Sequence, residues 1–231
     1  MKKIFISILI MVLSVLTFAS CAFTTTTISK IPRNSFVKVV VDISGEHCFG
    51  ESCTRKQIKS YASGSIVGYK NGALILTVEH VCRALILKKR DPSYEIIFRV
   101  MESRGTGIFH KAKVIKMDPE HDLCLLQSPT LYGIRPLMLG SKPAYGELVY
   151  NLASPVATAQ RYATPFFDGY YSGNLEKWDM YTIPTQVGSS GSPIINKHGD
   201  LIGVLRAFHN GFNNVAYSPR FEDLEEFLEN I

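Results

Sequence analysis

Between residues 37 and 217 the chain repeats one pattern. Four to seven residues rich in Val, Ile, Tyr and Thr are followed by a break of Gly, Pro, Asn or Asp. The runs cover 37–43, 64–69, 73–77, 96–100, 112–117 and 123–126. After a turn-rich stretch at 140–146 they resume at 147–152, 160–165, 180–185, 193–196, 201–205 and 214–217. Short β-forming runs at this spacing predict an all-β sandwich or barrel rather than long helices, and 17 Gly and 11 Pro supply the turns. Residues 197–200 (Lys-His-Gly-Asp) suit a hairpin turn. One helix is predicted over 219–230, with Ser218 as cap and Pro219 in its first turn. Phe221, Leu224, Phe227 and Leu228 fall on one of its faces, with acids opposite.

At 231 residues the chain suits one large domain or two compact lobes. A hydrophobic fraction of 46% against 19% charged gives enough apolar surface for a core and excludes a disordered chain. Its first twenty residues read as a leader. Lys2 and Lys3 precede an uncharged run, 4–18, too short to span a bilayer comfortably and suited to a signal-peptide core. Phe18-Ala19-Ser20-Cys21 resembles the lipobox of bacterial lipoproteins, although Phe18 stands where Leu is preferred. That resemblance implies a lipidated Cys21, a spacer over 22–34 and a membrane-anchored place in the cell envelope. The alternative is an ordinary signal peptide and a soluble periplasmic or secreted protein. Without residues 1–20 the net charge falls from +5 to +3, because Lys2 and Lys3 leave with them. That is too mild to argue for nucleic acid.

Four further cysteines remain, Cys48, Cys53, Cys82 and Cys124, an even number that suits bridges in an exported chain. The segment Cys48–Cys53 is short enough to close on itself. Its C-x₄-C spacing has no partner pair, so no metal is expected.

The segment Gln186-Val187-Gly188-Ser189-Ser190-Gly191-Ser192-Pro193 carries the most chemistry. A nucleophilic hydroxyl needs a tight loop whose backbone N–H groups converge on the developing oxyanion. The loop resembles the G-[DN]-S-G-G-P nucleophile loop of trypsin-like, chymotrypsin-fold serine proteases, with Ser190 as nucleophile. Upstream, the strand that ends in Thr77-Val78-Glu79-His80-Val81 resembles the surroundings of that family's general base. Ser63-Gly64-Ser65 resembles the strand before it, and His121-Asp122-Leu123-Cys124-Leu125 resembles the segment of the orienting aspartate. The order His80, Asp122, Ser190 is that of chymotrypsin and not of subtilisins or α/β-hydrolases. Towards the end, 147–155 and 214–219 resemble the bacterial Deg-type and glutamyl-endopeptidase-like branch.

This resemblance covers about residues 36–230 and implies two six-stranded antiparallel β-barrels, at about 35–135 and 140–217, closed by the C-terminal helix. It implies a serine endopeptidase with His80 as base, Asp122 as its orienter, and the Gly188 and Ser190 amides as oxyanion donors. Its substrate would be a polypeptide, and no cofactor is called for. Because His80 and Asp122 must touch, Cys82 and Cys124 come near enough for a bridge; two buried free thiols is the alternative. Aligned to the family, Pro184, Thr185, Arg206 and Phe208 line the specificity pocket. Pro184 removes support for an Arg or Lys preference. Ser189 in place of Asp removes the salt bridge to a freed N-terminus, so activation by propeptide cleavage is not expected. Ser192 and Glu79 depart from the pattern without removing a catalytic group. The rival reading is an inactive protease-fold lipoprotein that binds an envelope partner. An esterase of the same fold would share the site.

Overall fold

Six strands, β1 (Phe36–Phe49), β2 (Ser52–Tyr69), β3 (Ala73–Thr77), β4 (Glu95–Glu102), β5 (Phe109–Asp118) and β6 (Leu123–Ser128), form a closed antiparallel barrel. The order around it is β1-β2-β3-β6-β5-β4. The computed structural model describes residues 31–49, 52–103, 107–160, 162–209 and 211–229, the side chains of 47–49 excepted. The expected leader at 1–20, the lipidation site Cys21 and most of the spacer lie outside the described residues.

β1 and β2 stay paired from Phe36↔Ser65 out to Phe49↔Ser52. Side chains 52–61 of β2 are exposed along that arm, and burial begins at Ala62. Two short helices, α1 (Glu79–Cys82) and α2 (Ala84–Arg90), leave the end of β3. Lys88, Lys89 and Arg90 occupy the last turn of α2, where cations suit the carbonyl end, and all three are exposed.

The second half is a curled seven-stranded sheet: β7 (Leu148–Leu152), β8 (Phe166–Asn174), β9 (Trp178–Tyr181), β10 (Pro193–Ile195), β11 (Leu201–Val204), β12 (Ala207–His209) and β13 (Phe212–Pro219). Its order is β11-β10-β7-β8-β9-β13-β12. The all-β, chymotrypsin-like expectation holds. The seventh strand is the short β12, which hairpins back on β13. Among the described residues, the run 160–165 forms no strand, only an isolated bridge between Gln160 and Ala163. Pro165 has no N–H for a ladder, and β8 begins one residue after it. β8 itself (Phe-Phe-Asp-Gly-Tyr-Tyr-Ser-Gly-Asn) is disguised by two glycines. Gly169 is there because a Cβ would lie 2.1 Å from the Thr182 carbonyl oxygen.

Three apolar clusters explain the strand sequences. Val39, Ile66, Ile75, Val100 and Leu126 fill the first barrel, and Val149, Tyr181, Ile194 and Ile202 the second sheet. A third cluster joins the halves, drawing Leu74 and Leu76 from β3, Leu123 and Leu125 from β6, Tyr150 and Leu152 from β7, and Ile195 and Leu201. Alternate residues of β3 and β6 therefore face different cores. Both strands are buried throughout and read as continuous apolar runs.

Helix α3 (Phe221–Glu229) closes this seam with Leu224 and Phe227. It starts two residues later than predicted, because Pro219 still belongs to β13. Ser218 is not its cap; its Oγ accepts the Val204 N–H and is buried. Asp179 takes that role from β9, where its Oδ2 accepts the Phe221 N–H at 2.9 Å.

Candidate active site

Thr77 ends β3, extended Val78 turns the chain, and His80 stands in the first turn of α1. Asp122 ends the turn between β5 and β6 at φ 55, a left-handed conformation that Asp tolerates better than most residues. That turn sets the carboxylate directly against α1. Asp122 Oδ1 accepts the His80 backbone N–H at 2.9 Å, and Oδ2 lies 3.0 Å from His80 Nδ1. The Glu79 N–H donates to the Asp122 carbonyl at 3.1 Å. Asp122 is buried, whereas the His80 side chain is 39% exposed. With Nδ1 held by the carboxylate, the His80 tautomer leaves Nε2 free for proton exchange.

Cys82 and Cys124 are bridged, with Cα atoms 6.5 Å apart. The bridge ties α1 to β6 two residues beyond His80 and Asp122, and both sulfurs are fully buried. Cys53 is also disulfide-bonded, and Cys48 faces it in the β1–β2 register. The Cys48 side chain lies outside the described residues.

Ser190 projects from a loop fastened to the first barrel. Ser63 in β2 does the fastening: its N–H donates to the Ser190 carbonyl at 2.8 Å, and its Oγ donates to the Gly188 carbonyl at 2.9 Å. The same Oγ accepts the Ser154 N–H at 2.9 Å. Gly191 fits against Ser63 only without a side chain, since a Cβ there would lie 2.1 Å from the Ser63 carbonyl oxygen and φ is +86. Gly188, at φ +95, has the same constraint against the Ser154 carbonyl. The Val187 carbonyl accepts the Val156 N–H at 2.6 Å. In a trans peptide the N–H points opposite to the carbonyl, so the Gly188 N–H is turned away from Val156. Val156 and Ala157 reach this position at φ 43 and 61, held from below by Lys38, whose Nζ donates to the Ala157 carbonyl at 2.9 Å.

His80, Ser190 and Gly188 line one cleft of about 500 Å³, with Val41, Ile43, Tyr61, Leu87 and Phe208 among its apolar walls. Ser190 Oγ donates to the Arg206 carbonyl at 3.4 Å. The two departures from the family pattern have local partners. Ser192 Oγ accepts a hydrogen bond from Asn151 Nδ2 at 2.8 Å, and buried Glu79 pairs with Arg83. Ser189 is fully buried inside the loop.

The four expected pocket residues separate. Phe208 does line the cleft. Thr185 is buried, and its Oγ1 has no hydrogen-bond partner among the described residues. Pro184 is exposed. Arg206 is not on the pocket wall. Its Nε donates to Asp122 Oδ2 at 3.0 Å, and its guanidinium lies 3.9 Å above the Trp178 ring centre. A carboxylate and an indole face both suit a planar cation, so the side chain turns inward. Neither Ser63 as a fastener nor Arg206 on Asp122 was legible in the sequence. The Ser-Gly-Ser motif marked the first; nothing local marked the second. Among the described residues no cluster of His, Cys, Asp and Glu is placed to hold a metal, and no helix is long and apolar enough to cross a membrane.

The family model described as "Trypsin-like peptidase domain" matches residues 62–204. No curated protein matches the sequence. Among solved structures, an HtrA-type protease, AlgW, with a decapeptide superposes with a TM-score of 0.68 at 16% identity. The match covers 86% of this chain and 63% of that one. The family model alone spans more than half of the sequence and includes the segments of His80, Asp122 and Ser190, so the chain belongs to the trypsin-like peptidase domain family and has the fold of a serine protease.

Proposed function

We propose that the chain is a serine endopeptidase that works through His80, Asp122 and Ser190, exported by its leader and anchored to the envelope membrane through Cys21. The observation that carries the catalytic part is the cleft in which His80, oriented by buried Asp122, faces the loop of Ser190. For the reaction the Ser190 hydroxyl leaves the Arg206 carbonyl and donates to His80. His80 takes the proton as Ser190 attacks the peptide carbonyl, and Asp122 stabilises the imidazolium. The Gly188 and Ser190 amides receive the oxyanion, supported by the orientation that Val156 imposes on the 187–188 peptide. His80 then gives its proton to the leaving amine, and water releases the acyl-enzyme.

Purified protein and Ser190→Ala, treated with a fluorophosphonate probe and then with unfolded casein, test this reading. Labelling and cleavage lost together in the variant support the protease. An unlabelled wild type overturns it in favour of a binding module, and labelling without peptide cleavage points to an esterase. For the anchor, Cys21→Ser should move the protein out of the membrane fraction; unchanged fractionation refutes lipidation.

A further inference from the structure

Among the described residues, Arg206 makes the one ion pair of Asp122 besides that with His80. Asp122 Oδ2 lies 3.0 Å from His80 Nδ1 and 3.0 Å from Arg206 Nε, so a single oxygen serves two donors. The guanidinium is not free to leave. Trp178 supports its face, and its backbone N–H donates to the Tyr217 carbonyl at 2.8 Å. Its carbonyl is also the acceptor of the Ser190 hydroxyl. One residue therefore touches both the nucleophile and the acid that orients the base.

We propose that Arg206 is a positioning residue that fixes the Asp122 carboxylate and, as a permanent cation beside the Asp122–His80 pair, shapes the pH profile of the reaction. The inference rests on the catalytic roles proposed above. Its physics is a competition. A carboxylate alone beside an imidazole favours the imidazolium, whereas a carboxylate already neutralised by guanidinium favours it less.

The other charges facing the pair do not serve the same purpose. Glu79 and Arg83, from α1 and its end, pair with each other, with Arg83 Nε 3.0 Å from Glu79 Oε2. The ring of His121, next in sequence to Asp122, turns to Asp118 at 2.8 Å and to Asp223 at 3.8 Å.

The test compares wild type with Arg206→Gln, Arg206→Lys and, should Gln not fold, Arg206→Met, whose unbranched stem keeps the packing on Trp178. Two readouts are taken. One is the acid limb of kcat/KM; the other is the NMR titration of the His80 imidazole in a Ser190→Ala background, which needs no turnover. The neutral variants should move both midpoints up by roughly one pH unit. The Lys variant keeps the charge but loses the planar fork and should stay nearer to wild type while kcat falls. A fall in kcat/KM at every pH with unmoved midpoints, or midpoints that move down, overturns the proposal. If no substrate is turned over, the NMR titration still decides the coupling, so failure of the proteolytic reading is separable from failure of this one.

Discussion

From a fully buried position Ser63 makes three hydrogen bonds to the second half of the chain, each to a different part of it: Ser190, Gly188 and Ser154. Removing its hydroxyl leaves the Gly188 carbonyl and the Ser154 N–H without partners in a site closed to water. Ser63→Ala should lower unfolding stability by about 2 kcal/mol in urea titration. Because the same carbonyl helps to fix the 187–188 loop, kcat should fall at least about tenfold while the protein remains folded. Unchanged kcat with lowered stability would show that the loop holds its shape without β2. The hub was only half legible. Ser63-Gly64-Ser65 stood out as a motif, but its partners lie 91 to 127 positions away in the chain, beyond any local pattern. Arg206 is the sharper case. Alignment to the resembled family put it with Phe208 on the pocket wall, and only the position of Trp178, from β9, reveals why it turns to Asp122.

Strands β3 and β6 bear on two cores at once, and that made them easy to recognise and important to hold. Their unbroken apolar sequences, Ala-Leu-Ile-Leu-Thr and Leu-Cys-Leu-Leu-Gln-Ser, were readable because burial on both faces removes the usual alternation. β8 was unreadable for the opposite reason, since close approach of the Thr182 backbone requires glycine where a strand would show a β-former. The bridge Cys82–Cys124 closes a loop of 42 positions across these elements. Chain-entropy arguments give such a crosslink about 4 kcal/mol. The paired Cys82→Ala/Cys124→Ala variant should therefore melt well below wild type, and reductant should lower the wild-type midpoint towards it. The bridge also fixes α1 against β6, so activity should fall before global melting as His80 loses its register on Asp122. Equal midpoints for the two proteins would refute a stabilising role.

At the scale of the whole molecule, Asp122 and His121 bear on stability at opposite ends of the pH scale. Burial pushes the Asp122 carboxyl up, but the His80 hydrogen bonds and charge, with Arg206 behind them, hold it below its ordinary 3.8. A depressed carboxyl contributes stability above that value and loses it as pH falls further. Burial pushes His121 down, but Asp118 and the charges of Asp223 and Glu120 lift it above its ordinary 6.5. A raised histidine contributes fully below that value and is lost as pH rises through its folded range. Since His121 spans from the β5–β6 turn to α3, its discharge loosens the seam between the halves. Thermal midpoints of Ser190→Ala, which cannot digest itself, should be highest between about pH 4 and 6.5 and decline on both sides. His121→Asn should flatten the alkaline decline alone; a parallel change on both sides would refute the assignment.

The fastening of Ser190 to Ser63 also bears on timing. A chain that emerges from its N-terminus presents His80 and Asp122 long before residue 190. Those two can meet inside the first barrel as soon as β6 pairs with β3. The contacts that hold the Ser190 loop come from β2, so they form only when the second half of the chain docks on the first. On the roles proposed above, the site is complete only once the two halves of the chain have joined.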